Sequence, residues 1–378
     1  MQIYLDYSAT TPPRPEVLAK VQEVMTRFWG NPSSIHAWGE RAALMVEQAR
    51  EQVAQLLHAD PSEVVFTSGG TEANNMAIFG IARQYHTPQH LIISAIEHSA
   101  IAQPVSYLEK LGWQVDRLPV DRQGLVDPQV LKSAIRPNTV LVSIIYAHNE
   151  IGTIQPIDKL GAICREAGVL FHTDAVQAVG KITIDLQTQP IDLLSISGHK
   201  FYGPQGIGAL YINRQVKSLV PLLMGGGQEY NRRSGTPPVA LIAGLGTAAE
   251  LARQELPSET IRLAELRDRL YALTADIPHL IPTGADPPQR LPHHLSFMHE
   301  RLNGRQIVYG MNLAGIAISA SSACSSGKNL PNKNLLAMGY SPQQSQGSIR
   351  ITCGRETTMA DIEWTAMALK QVIQRLSP

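Results

Sequence analysis

The middle of the chain alternates short apolar runs with helical patterns. Each run stops at a polar residue, and most are followed by apolar positions at helical spacing. Near-continuous apolar strands alternating with helices are typical of a mainly parallel sheet that is covered on both faces. The pattern therefore predicts an α/β fold. The predicted strands are residues 63–66, 91–94, 140–145, 169–172 and 191–196.

The two ends of the chain follow different patterns. One helix is predicted from about Pro15 and a longer one from about His36 to Leu57. Near Pro257 the pattern shifts, and Ser258 is expected to cap a new helix. Because 378 residues exceed the size of a single core, we expect two domains. Residues 14–257 would form the large domain, and residues 1–13 and 258–378 a smaller α+β domain.

Polar residues follow the predicted strands. In parallel sheets the ligand lies beyond the carboxyl ends of the strands. These residues are therefore expected at one rim, although each taken alone would more often be structural. They are His98, Asn149, Asp174, Gln177 and Lys200.

Lys200 lies in a glycine-punctuated turn directly after one of these strands. A partly desolvated lysine loses its proton readily and can form a Schiff base with a carbonyl cofactor. A single loop lysine is more commonly an ordinary surface residue, so the neighbouring motifs have to decide between the two interpretations.

Two further motifs favour a pyridoxal phosphate (PLP) site. The small-residue turn 68–72 lies between a strand and a helix, where backbone N–H groups can bind phosphate. Asp174, at another strand end, is the type of group that keeps a pyridine nitrogen protonated. A phosphate turn, an acid and a lysine in this order indicate PLP chemistry.

Composition excludes several other classes. The 32 basic and 32 acidic residues balance, so no nucleic-acid partner is expected. No apolar run is long enough to span a membrane and no secretion signal is recognisable, which predicts a cytoplasmic protein. The three cysteines are far apart, and the histidines lack metal-ligand spacing, which argues against disulfides and a metal site.

Ten ordered segments resemble the cysteine desulfurases of the NifS/IscS-like group, within the PLP fold type I class V aminotransferases. The resemblance extends over essentially the whole chain. The segments are 4–12, 30–36, 66–75, 97–98, 149–152, 174–177, 197–208, 233–236, 321–325 and 354–355.

The resemblance implies a role for each matching residue. Lys200 would carry the Schiff base and move a proton, and His98 would stack on the cofactor ring. Asp174 would pair with the ring nitrogen and Gln177 with the phenolic oxygen. The cofactor phosphate would be bound by Gly70, Thr71, Ser197, His199 and, from the other subunit of a homodimer, Thr236. The substrate carboxylate would be held by Asn149 and Arg355.

Cys324 lies in a run of small residues with little to bury, and the loop of about 319–333 is expected to be mobile. The resemblance makes Cys324 the nucleophile that receives sulfur as a persulfide. Cys353 is expected to pack, and Cys164 to lie in the core.

The sequence therefore predicts an L-cysteine desulfurase that gives L-alanine and passes sulfur to an iron–sulfur scaffold or another sulfur acceptor. A selenocysteine lyase or a cystine C–S lyase of the same superfamily is an alternative. An inactive scaffold that binds a sulfur acceptor is an alternative from a different class.

Overall fold

The computed structural model describes residues 2–320 and 331–377. The strands are β1 Ile3–Tyr4, β2 Val64–Thr67, β3 His90–Ser94, β4 Gln114–Leu118, β5 Thr139–Ser143, β6 Leu170–Asp174, β7 Leu193–Ser197, β8 Gly208–Ile212, β9 Leu280–Pro282, β10 His294–His299, β11 Ile316–Ala317 and β12 Ser348–Thr352. The helices are α1 Pro15–Arg27, α2 Ala37–Leu57, α3 Gly70–Ala82, α4 Ser99–Lys110, α5 Pro128–Ala134, α6 Ile157–Glu166, the single turn α7 Gln228–Asn231, α8 Val239–Thr274, α9 Gly304–Leu313, α10 Lys333–Ala337, α11 Pro342–Gln346 and α12 Met359–Leu376.

A seven-stranded sheet in the order β2-β8-β7-β6-β5-β3-β4 forms the centre. The five strands from β7 to β4 are parallel, whereas β8 runs antiparallel to both β7 and β2. All residues of β3 and β7 are buried, as expected for strands covered on both faces. The mainly parallel sheet predicted from the apolar runs is confirmed, and each of those runs overlaps one of its strands.

A smaller antiparallel sheet in the order β12-β10-β9 lies towards the end of the chain. Its apolar residues form a second cluster, which also contains Ile3 and Leu5 from the start of the chain. The division into domains at residues 14 and 257 stays a prediction, although the two clusters are compatible with it.

Helix α8 corrects the expected start of a helix at Ser258. It is one helix of 36 residues with Pro257 in its interior, and the Ser258 hydroxyl donates to the Glu255 carbonyl at 3.0 Å. A proline inside a helix costs about 3 kcal/mol. The cost is offset by packing at both ends, because Leu245 belongs to the core of the large sheet and Leu263 to the second cluster.

Candidate active site

A cavity of about 370 Å³ lies at the carboxyl ends of the parallel strands. Most of the residues selected from the sequence line it, as the strand-end rule predicts. These are Gly70, Thr71, His98, Asn149, Asp174, Gln177, Ser197, His199 and Lys200.

Lys200 follows β7 on a short 3-10 turn, Gly198–Lys200. Its Nζ donates to the carbonyl oxygens of Ser8 at 2.8 Å and Ala9 at 2.7 Å. The N-terminal arm therefore holds the amino group inside the cavity, where a carbonyl compound could reach it.

Asp174 ends β6 and is almost fully buried. Its Oδ2 accepts from Asn74 Nδ2 at 2.7 Å and its Oδ1 from the Val176 N–H at 3.1 Å. These two donors orient the carboxylate towards the cavity. Asn74 was not selected from the sequence. Its position one turn into α3 is the signal that could have identified it. Gln177 donates to the Ser8 carbonyl at 2.9 Å.

The turn before α3 is shaped for a phosphate. Gly69 has φ of 151°, a value that favours glycine. A Cβ on Gly70 would lie 2.6 Å from a Val176 methyl carbon and 3.4 Å from Ser197 Cβ, so only glycine fits there. No side chain of the described residues caps the N-terminus of α3, which leaves its N–H groups available for an anion.

His199 lies beside this turn, and its Nδ1 is 3.1 Å from the Thr10 hydroxyl oxygen. Burial, helped by the neighbouring Lys200, lowers the pKa of His199 to about 4. The ring is therefore neutral at pH 7 and can contribute a hydrogen bond rather than a charge.

His98 caps the N-terminus of α4, where its Nδ1 accepts from the Ala100 N–H at 3.1 Å. This bond fixes the ring and leaves Nε2 as the nitrogen that can exchange a proton. The preceding Glu97 is buried, and it accepts from the Ser94 hydroxyl at 2.5 Å and the Ile145 N–H at 2.9 Å. Burial, together with the charge of Asp174, raises the pKa of Glu97 to about 8, so its carboxyl is neutral at pH 7.

The arginine at the cavity is Arg350, which the sequence analysis missed. It lies on β12, is 6% exposed, and donates to Asp6 Oδ1 at 2.7 Å and the Asn149 carbonyl at 2.9 Å. Arg355 lies beyond the end of that strand, is exposed, and has its Nε 3.6 Å from Glu255. The structure does not bring Arg355 to the cavity. The family resemblance of segment 354–355 had favoured Arg355, whereas Arg350 on β12 is the arginine that lines the cavity.

Two other predicted residues are not among those that line the cavity. Thr236 is exposed and follows the irregular segment after α7, outside the cavity of its own chain. Cys324 lies outside the described residues. Ser319 and Ala320, the last two residues described before it, line the cavity.

The other two cysteines are buried, as expected. Burial raises the pKa of Cys164 and of Cys353 to about 12, so neither thiol ionises near pH 7. A thiolate is the reactive form of cysteine. Of the three cysteines, Cys324 therefore stays the candidate nucleophile.

Residues 2–320 and 331–377 contain no group of three or more acidic, histidine or cysteine side chains that could hold a metal ion. No helix in the same ranges is both long and apolar enough to cross a membrane.

Comparison with known proteins identifies the family of the chain. The family model described as aminotransferase class-V matches residues 3–364. The chain belongs to this family. Along nearly its whole length it is similar to proteins named as cysteine desulfurases. It is 45% identical to a "Cysteine desulfurase IscS" of Dictyoglomus turgidum, over 99% of this chain and 95% of that protein.

Two solved structures extend the comparison. A "NifS-like protein" aligns with a TM-score of 0.93 at 33% identity, covering 100% of both chains. A structure titled "SspA in complex with cysteine" aligns with a TM-score of 0.82 at 37% identity, covering 93% of this chain and 98% of that one. These alignments agree with a PLP fold type I architecture for the chain.

Proposed function

We propose that the chain is an L-cysteine desulfurase that uses PLP, forms L-alanine, and retains the sulfur as a persulfide on Cys324. The observation that carries the proposal is that Lys200, Asp174 and the uncapped N-terminus of α3 meet in one cavity. The similarity to a cysteine desulfurase over 99% of the chain supports the choice of substrate.

The cavity fits PLP in its donors and in its shape. When bound, PLP supplies an electron sink for the bonds at the substrate α-carbon. Gly70, Thr71, Ser197 and His199 would hold the phosphate, and Asp174 would keep the ring nitrogen protonated. His98 would lie against the ring, and Gln177 would donate to its phenolic oxygen.

Lys200 would bind the cofactor and then move a proton. Its Nζ is held by two carbonyl oxygens of the N-terminal arm. With substrate bound, Nζ would be the atom that takes the α-proton of cysteine and later returns a proton to the product. His98 Nε2 is the second proton-exchanging atom, because Nδ1 is engaged by the Ala100 N–H.

Arg350 and Asn149 would bind the substrate carboxylate. The guanidinium Nε of Arg350 is buried and has no hydrogen-bond partner within the described part of the chain. An unsatisfied buried donor is costly, and a carboxylate would satisfy it. The Asp6 carboxylate orients the guanidinium from its other side.

The sulfur transfer balances as a two-thiol reaction. The Cys324 thiolate attacks the substrate sulfur, an S–S bond forms, and the C–S bond breaks with its electron pair left on the substrate carbon. Protonation of that carbon gives L-alanine, so cysteine and the enzyme thiol become alanine and the enzyme persulfide. The persulfide would then pass to a sulfur-acceptor protein, such as an iron–sulfur scaffold.

Thr236 supports a homodimer with shared sites. It is exposed and lies outside its own chain's cavity, where it would be available to the phosphate of the partner's cofactor. A reactive thiol also needs a reducing compartment to stay free of disulfides, so we place the enzyme in the cytoplasm.

Mass spectrometry after incubation with L-cysteine tests the proposal. We expect one added sulfur atom on Cys324, loss of cysteine turnover in Cys324→Ala with PLP retained, and normal turnover in Cys353→Ala. Unchanged cysteine turnover in Cys324→Ala would overturn the persulfide step. Faster turnover of selenocysteine or cystine that is independent of Cys324 would favour a lyase. Failure to bind added PLP would favour an inactive scaffold.

A further inference from the structure

The segment that leads to Thr236 begins with a strained turn. Glu229, Tyr230 and Asn231 follow one another with φ of 49°, 57° and 61°. This left-handed conformation is unfavourable for residues other than glycine, although asparagine tolerates it best. Such strain persists only where surrounding contacts enforce it, which makes the contacts of this turn informative.

The first enforcing contact is a buried ion pair between Glu229 and Arg50 of α2. Their side chains are 5% and 3% exposed, and the two groups meet through two bonds, Nη1 to Oε2 at 2.8 Å and Nη2 to Oε1 at 2.9 Å. Glu229 Oε2 also accepts from the Phe66 N–H at 2.9 Å, and Arg50 Nη1 donates to the Val64 carbonyl at 2.7 Å. The pair therefore holds β2 from its outer side.

The second contact joins Arg233 to Glu72 in the first turn of α3. Arg233 Nε lies 2.9 Å from Glu72 Oε1. Glu72 Oε2 accepts from the Ser68 N–H at 2.7 Å, which closes the phosphate turn on itself. Burial opposes ionisation of Glu72, but the bonds from Arg233 and Ser68 outweigh it and lower the pKa of the carboxyl. Glu72 is therefore charged at pH 7.

The two contacts hold the phosphate turn 68–72, one on each side of it. The turn extends from β2, which is an edge strand paired only with β8 in the large sheet. An edge strand has one row of backbone groups without a ladder partner, so the turn receives less support from the sheet than the ends of the inner strands do. Glu229 supplies support before the turn at Phe66, and Arg233 supplies it after the turn at Glu72.

We propose that the four residues Arg50, Glu72, Glu229 and Arg233, here called the bracket, position the turn 68–72 for the cofactor phosphate. None of them is among the described residues that line the cavity, so they act through the backbone of the turn. The inference rests on the proposed function, in which that turn binds the phosphate of PLP. Glu229 and Arg233 lie on the irregular segment after β8, and the proposal gives that segment a role at the phosphate site of its own chain.

The test compares PLP with pyridoxal, which carries the same aldehyde and ring but no phosphate. Dissociation constants of both are measured by absorbance titration of the apo protein for the wild type, Glu229→Gln and Arg233→Gln. Arg117→Gln is the matched control. Arg117 lies on the opposite edge strand β4 and forms an exposed two-bond ion pair with Glu109 of α4, which the substitution breaks.

We expect both bracket variants to weaken PLP binding by about 10-fold or more, which is the typical loss of affinity when a residue that orients a binding group is replaced. Pyridoxal binding should weaken by less than about 2-fold. Hydrogen exchange of apo Arg233→Gln should be faster at residues 68–72 than in the wild type. Arg233 is only partly buried, so this variant should fold even if Glu229→Gln does not.

Equal weakening of PLP and pyridoxal, or no weakening of either, would overturn the bracket and leave only a general contribution to stability. A wild type that binds PLP no more tightly than pyridoxal would instead refute the phosphate turn itself. In that case the proposed function fails together with the inference built on it, and the wild-type titration alone identifies the cause.

Discussion

Replacing Arg350 separates the two candidate arginines. Arg350 is 6% exposed at the cavity, whereas Arg355 is exposed beside Glu255. If Arg350 binds the substrate carboxylate, Arg350→Ala should raise KM for L-cysteine much more than it lowers kcat, while Arg355→Ala should change neither appreciably.

The expected size follows from the contacts of the guanidinium. Two of its nitrogens already donate, to Asp6 and to the Asn149 carbonyl, and its Nε has no partner among the described residues. The substrate carboxylate therefore gains roughly one hydrogen bond to a charged group, which contributes about 1.5–3 kcal/mol to its binding free energy. That corresponds to a KM increase of about 10- to 150-fold. The Arg355–Glu255 contact is a surface pair worth about 0–1 kcal/mol.

The assay is steady-state alanine formation, with cofactor content measured by absorbance in each variant. Arg350→Lys keeps the charge but loses the planar fork and should be intermediate. Asp6→Asn removes the carboxylate charge that orients Arg350 but keeps the guanidinium, so it should raise KM by less than Arg350→Ala does. A wild-type KM in Arg350→Ala, combined with a raised KM in Arg355→Ala, would refute the reasoning.

Three further predictions concern other residues. The raised pKa of Glu97 means that the folded state favours the protonated carboxyl. The contribution of Glu97 to the free energy of unfolding is therefore complete below about pH 4.5 and is lost as the pH rises to about 8. Glu97→Gln should therefore flatten the decline in urea stability between these pH values, and an unchanged slope would contradict this. In mixed dimers, a Thr236→Ala chain paired with a Lys200→Ala chain should keep one full-affinity PLP site. A doubly substituted chain paired with a wild-type chain should instead weaken PLP binding to the wild-type chain. Equal PLP affinities in the two mixed dimers would refute shared sites. Cys353→Ala should lower the melting temperature, because it opens a cavity in the core, and should leave turnover unchanged; lost turnover with normal PLP content would contradict the packing role.

Local pattern was enough to locate most of the candidate site. The inner parallel strands are mostly buried and begin in apolar runs, so the sequence shows roughly where they end, and with them His98, Asp174 and Lys200. The capping box at Thr358 is local in the same way, because Thr358 and Asp361 bond to each other within one helical turn. In such cases the interaction that fixes the structure involves residues close together in the chain.

Other features depend on contacts between distant parts of the chain. Helix α8 continues through Pro257 because both of its halves pack against separate hydrophobic clusters, which no local signal reports. Arg350 lies 344 residues from the Asp6 carboxylate that orients it, and Glu229 lies 179 residues from Arg50.

The sequence by itself therefore determined the sheet, the lysine and the acid of the site, because strand burial and strand ends are local properties. Only the tertiary structure decided which arginine meets the cavity and what supports the phosphate turn. Both depend on charges that are paired across the fold, and the energy of such a pair exists only once the chain has brought its two members together.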